Sequence, residues 1–130
     1  EEAEQLQARD VEGERRQRTA AVLQLEAEVR MSERDYEGAV GFWKQLVALE
    51  RSAGRHLRLA DALIASKRME EAAAELRAAI ALNAGPDANR RLAEVLQAIG
   101  RDEESARERA LYQQRRLEEL RQRALGTPGR

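Results

Sequence analysis

The chain has 130 residues, 42% hydrophobic, 36% charged and 3% aromatic, enough for one modest domain or a short repeat array but not for two large cores. Ala, Leu, Arg, Glu and Lys supply 82 of the residues, a composition that signals long helices and speaks against an all-β or α/β fold. With 23 basic against 24 acidic residues there is no excess positive field to hold a polyphosphate backbone, so nucleic acid is not an expected partner.

Helices are predicted over 2–31, 35–51, 54–66, 69–83, 87–99 and 102–124, where apolar residues recur at three- and four-residue spacing between short breaks. Residues 1–19 carry six acids and four arginines but only Leu6 and Val11 as sizeable apolar groups. They are therefore expected as a charged, solvated helical extension, supported by the i,i+4 pairs Glu12 with Arg16 and Glu14 with Arg18. The alternative is a helix that self-associates or binds a partner, although Gly13 counts against a continuous coiled coil. Breaks fall at Ser52-Ala53-Gly54, at Ser66-Lys67-Arg68, at Asn83-Ala84-Gly85-Pro86 before a capping Asp87, and at Gly100 before Asp102. The last helix is longer than its neighbours, with Ala106, Ala110, Gln113, Leu117, Leu120 and Ala124 spaced as a short seam. It is expected to cap the domain, or to make a homotypic contact, before a disordered tail over 126–130.

These elements repeat. Residues 66–83 align with 99–116 at an offset of 33, and the same offset sets Leu59 over Leu92, Ala60 over Ala93 and Leu63 over Leu96. An earlier copy sets Ala39, Trp43 and Leu46 against Ala72, Leu76 and Ala79. Three units result, about 20–52, 53–85 and 86–120, each a pair of helices. Two antiparallel helices approach to roughly 8–10 Å only where small side chains meet large ones. Ala39, Ala60, Ala72 and Ala93 take the small role. One pair cannot cover its own apolar face, so the pairs must stack into an all-α solenoid.

At these residues the chain resembles the tetratricopeptide repeat family, whose unit of about 34 residues is a helix-turn-helix. In the second unit His56, Leu59, Ala60, Leu63, Met69, Ala72, Leu76 and Ala79 take the family's positions in order. The first supplies Val22, Leu25, Val29, Tyr36, Ala39, Trp43 and Leu46, with one extra residue in its turn and Glu26 where a small residue is usual. The third supplies Leu92, Ala93, Leu96, Gly100 and Ser105, but Asn89 and Arg109 replace bulky apolar residues, as in a solvent-facing terminal unit. The proline that commonly closes a unit is absent, with Arg51, Ala84 and Leu117 in its place. The resemblance implies a short right-handed superhelical solenoid with helical N- and C-terminal extensions, in which the first helix of each pair lines a concave groove.

Carried onto this sequence, the groove positions are Leu23, Ala27 and Arg30, then Leu57, Asp61 and Ile64, then Arg90, Glu94 and Gln97, each trio spaced i, i+4, i+7. The plainer reading of all nine is a solvated helix face. Leu57 and Ile64 favour the groove, because they fall off the stripe made by His56, Leu59, Ala60 and Leu63. Leu57 and Asp61 stand where some members of the family place the lysines and asparagines that clamp a terminal carboxylate, so a clamp of that type is not implied.

Chemistry is not indicated. His56 is the single histidine and there is no cysteine, so no histidine metal pair, thiolate zinc site, disulfide or cysteine nucleophile can be assembled. His56 is expected as a packed, hydrogen-bonded core residue. Glu70-Glu71 and Asp102-Glu103-Glu104 open helices, where negative charge offsets the helix dipole. Trp43 is expected in the core, leaving a groove that works through aliphatic and charged contacts. The expectation is a non-enzymatic scaffold without metal or cofactor that binds a segment of another protein, or alternatively an assembly element that forms homo-oligomers through its terminal helices. The longest apolar runs, such as 78–82, are far short of the roughly 20 residues of a spanning helix, and the opening residues lack the plan of a signal peptide, so direct membrane insertion is not expected. Beginning on Glu1 rather than methionine, the chain reads as a piece of a longer or anchored protein, with the cytoplasm as the default compartment.

Overall fold

The computed structural model describes residues 2–126. Among them six α-helices and no strand occur: α1 (Glu2–Ser32), α2 (Tyr36–Leu49), α3 (Ala53–Ala65), α4 (Met69–Ala81), α5 (Asp87–Ala98) and α6 (Asp102–Ala124). Each lies within two residues of its predicted span. The disorder expected of the C-terminal tail falls on residues 127–130, outside the described residues; Gly126, at φ +68°, closes α6.

The substantial contacts run between helices consecutive in the chain, α1 with α2 through to α5 with α6. Three hairpins therefore stack in sequence order. Their turns are built alike. Arg34 and Lys67 (both φ +62°) and Gly100 (φ +81°) take the left-handed conformation, one in each hairpin at the same repeat position. In each turn the next residue's N–H reaches back five residues: Asp35 to Arg30 O at 2.8 Å, Arg68 to Leu63 O at 2.8 Å and Arg101 to Leu96 O at 2.9 Å. These are Schellman closures, which satisfy carbonyls that a helix end leaves unpaired. Asp35 caps α2 by accepting from Gly38 N at 3.0 Å, and Ser52 caps α3 by accepting from Arg55 N at 3.1 Å.

The identical turns remove the extra residue expected in the first one. All three units keep one strict period, which moves the register of α1 by one position. Ala20, Leu23, Ala27 and Met31 face the core, whereas Val22, Leu25 and Val29, expected there, are 58%, 63% and 47% exposed. Val22, Leu25 and Val29 are bulkier than Ala20 and Ala27, so apolar volume alone points to the face that the core leaves out. Glu26 occupies the place of the buried Leu59 and Leu92, and it is exposed.

One apolar core, from Ala27 to Leu96, threads the hairpins, with Leu46, Leu59, Leu63, Leu76, Leu92 and Leu96 fully buried. Ala27, Ala60 and Ala93 are completely enclosed, as are Ala39 and Ala72. The third hairpin has Ser105 at the matching place, and its Oγ donates to Ala93 O at 2.7 Å. The second helices are laced together as well. Lys44 to Glu71 (3.9 Å) and Arg77 to Glu104 (2.8 Å) are the same ion pair one repeat apart.

The last helix caps α5 differently from expectation. Its apolar seam is exposed, Leu117 and Leu120 included, and it meets α5 through Ser105, Glu108 and Arg115. Asn89 is buried there rather than solvent-facing: its amide donates to Glu108 Oε2 at 2.9 Å, Arg115 donates to its carbonyl oxygen, and Arg115 Nη2 also reaches Ala84 O at 2.8 Å. Arg109 is exposed and donates to Gln97.

Candidate functional site

Because helices alternate along the stack, α1, α3 and α5 form one layer and α2, α4 and α6 the other. Between α1 and α3 a cleft of about 280 Å³ opens, lined by Glu28 and Met31 from α1, Trp43 from α2, and Arg58 and Asp61 from α3. Trp43 is buried, packed in the core, yet also lines the cleft. It thus fulfils its core role and also contributes an aromatic surface, where only aliphatic and charged contacts were expected. Glu28 accepts from Gln24 Nε2 at 3.2 Å.

One repeat along, the corresponding gap is bridged. Glu28, Asp61 and Glu94 hold the same repeat position on the three first helices, and Arg58 and Arg91 share another on the last two. Asp61 pairs with Arg91 across the α3–α5 gap. Burial pulls the Arg91 guanidinium below its ordinary range, Glu94 opposes the shift and Arg58 nearby adds to it. A half-buried cation of this kind needs a carboxylate beside it, which Asp61 supplies. Across the α1–α3 gap the matching residues, Glu28 and Arg58, both line the cleft without an ion pair between them. The layer therefore carries a charge ladder with one rung closed and one open. An open rung flanking an apolar floor is a place where a side chain from outside can enter.

The nine residues predicted for the groove divide. Asp61 lines the cleft. Leu23 and Ala27 face the core, Ala27 without exposure, and Arg30 turns to the hairpin's own Asp35 at 3.3 Å. The one-residue shift in α1 is the reason, since the true counterparts of Leu57, Asp61 and Ile64 are Gln24, Glu28 and Met31. Leu57 and Ile64 are half-buried and pack against the core. Their departure from the main stripe is explained by α3 having packed neighbours on two sides. Arg90, Glu94 and Gln97 lie one unit further on. Arg90 is held by Asp87 at 2.7 Å and Glu94 at 2.6 Å, which raise its pKa, Asp87 foremost, and Gln97 accepts from Arg109. Sequence reasoning missed Glu28, Met31 and Arg58. The turn residues Arg34, Lys67 and Gly100, evenly spaced, carried the register that would have found them.

His56 is buried and hydrogen-bonded, as expected. Its Nε2 accepts from Arg51 Nε at 3.3 Å, so the ring proton lies on Nδ1, 2.5 Å from Glu75 Oε2. Asn89 and Glu108 are the same pair one repeat later. Leu23 and Phe42 occupy those two places in the first hairpin.

No protein-family model matches the chain, and no curated protein matches it. Among the described residues no group of three His, Asp or Glu side chains is placed to hold a metal ion, and no helix is long and apolar enough to cross a membrane.

Proposed function

We infer that this chain is a non-enzymatic, tetratricopeptide-type interaction module that binds a segment of another protein in the α1–α3 cleft. The observation that carries this reading is the open rung. Trp43 and Met31 offer an apolar floor while Glu28 and Arg58, of opposite sign, flank it unpaired with each other. Supporting the family assignment is the strict recurrence of turns, ion pairs and buried alanines at one repeat offset. A fitting ligand presents one apolar side chain between a cationic and an anionic one, in helical or extended form. With a cleft this small, affinity is expected in the micromolar range, about −8 kcal/mol.

Trp43 is the single tryptophan, so its emission reports on the cleft directly. Peptides selected from a displayed library against the full chain are expected to shift that emission on titration. Glu28→Arg together with Arg58→Glu reverses both rims at exposed positions. The double variant should weaken binding about tenfold or more while circular dichroism stays unchanged. Equal affinity of the parent and the double variant would refute the assignment of the cleft.

A further inference from the structure

We propose that the outer face of α1 is the interface of an antiparallel, two-fold symmetric dimer of this chain. Val22, Leu25 and Val29 form a stripe on the side of α1 opposite Leu23, Ala27 and Met31, the residues that meet the core. The stripe is about half exposed throughout. In the second and third units the residues that match Val29 are Ala62 and Val95, and both are buried. The places that match Val22 and Leu25 hold Arg55, Ala88, Arg58 and Arg91, so it is the Val29 end of this face that the later units cover, and the described chain leaves it bare on α1.

Two features select the occupant. The first is the course of α1 itself. Between units, each first helix starts just after the preceding helix ends, as at the Ser52 cap of α3. At Thr19, one repeat before Ser52, α1 does not start but continues back to Glu2. A preceding hairpin joined by the same short connection would have to begin about 25 Å from the place where it must pack. A further unit of the stack in the same phase is therefore not the occupant.

The second feature is charge. Arg15 and Glu33 bracket the stripe; Glu33 follows the end of α1 at Ser32, but its N–H still bonds Val29 O at 2.9 Å, so the helical path reaches it and about five turns put the two on one side, and neither forms an ion pair within the described residues. Placing two α1 helices antiparallel, with the two-fold axis near residue 24, sets Arg15 of each copy against Glu33 of the other. The same register sets Val22 against Leu25 of the second copy and lays the Arg18 stem beside its Val29. Opposite charges at the two ends of one apolar stripe are self-complementary only in this antiparallel sense, which is the requirement of an isologous interface. A parallel arrangement would bring like charges together at both ends.

Sedimentation equilibrium and light scattering of the full chain test the proposal. The expected mass at high concentration is twice the 14.7 kDa of one chain. Leu25→Glu, at an exposed helical site, should raise the dimer dissociation constant at least about tenfold with no loss of helical signal. Arg15→Glu and Glu33→Arg alone should each weaken the dimer about three- to tenfold. An equimolar mixture of these two variants should pair preferentially as a heterodimer, because both end contacts are then attractive. A monomer at every concentration, or a dimer that Leu25→Glu leaves intact, overturns the proposal. So does a mixture that shows no heterodimer preference, since the antiparallel register demands one. Species that grow beyond a dimer with concentration would assign the face to α6 of the next copy and overturn it equally.

Discussion

The buried His56–Glu75 pair can be exchanged for the apolar pair that the first hairpin carries at the same two places, Leu23 and Phe42. His56→Leu alone removes the donor to Glu75 and the acceptor of Arg51 Nε, stranding a carboxylate that is only one-quarter exposed. The cost expected is about 1–3 kcal/mol. Glu75→Phe alone leaves the enclosed Nδ1–H without its acceptor, and a similar cost of about 1–3 kcal/mol follows. Independent effects would sum to about 2–6 kcal/mol in the double variant. Removing both polar partners at once leaves nothing unsatisfied between them, so the double variant should lie within about 1 kcal/mol of the parent. The coupling is then at least about 1 kcal/mol, and about 3 kcal/mol for mid-range single costs. With a urea slope of about 1–3 kcal/mol/M for a domain of this size, that coupling shifts the double variant's midpoint by roughly 1 M from the additive value. Urea titrations followed by helical circular dichroism and by Trp43 emission measure it, and coincidence of the two curves verifies a single transition. Additive midpoints would refute the claim that the hairpins share one packing site filled by interchangeable pairs.

Two further outcomes follow from the turns and surface charges. Lys67→Gly and Arg34→Gly relieve a left-handed conformation that costs side-chain-bearing residues, and each should stabilise the chain by about 0.5–1 kcal/mol, whereas Gly100→Lys should cost about 1 kcal/mol with no steric contribution, because nothing lies within 4 Å of the added Cβ; chemical denaturation midpoints decide. The hydrogen bond from Arg68 holds the Glu71 carboxyl below its ordinary value of 4.5, so its contribution is complete above that pH and fades as acid titrates the folded state; Glu71→Gln should flatten stability against pH below about 4.5 and leave the slope above it unchanged.

How far the sequence could be read depended on which physical signal each residue carried. Helix existence was legible because Leu59, Leu63, Leu92 and Leu96 recur at helical spacing and face a core, and burial rewards that pattern directly. Ala60 and Ala93 were legible as close-approach points for the same reason. The register of α1 was not, because Val22, Leu25 and Val29 make a bulkier apolar stripe than Leu23, Ala27 and Met31. Hydrophobic ranking favours that stripe, yet only one side of α1 has a neighbour in the described chain. Turn chemistry would have decided correctly: a left-handed residue followed by an N–H returning five residues is a backbone requirement, indifferent to side-chain size. The backbone fixes where the next helix must begin, and from that the faces of the first helix follow. Polar core pairs were legible only in part. A lone histidine in a core row demands a partner, but nothing local to His56 names Glu75, which lies on the following helix. The partner emerges only when the repeat offset maps His56–Glu75 onto Asn89–Glu108, two chemically different pairs that solve one packing problem. The same mapping makes Glu28 and Arg58 the unclosed counterpart of Asp61 and Arg91. On the proposed function, that unclosed rung is where a partner's side chain supplies the missing contact.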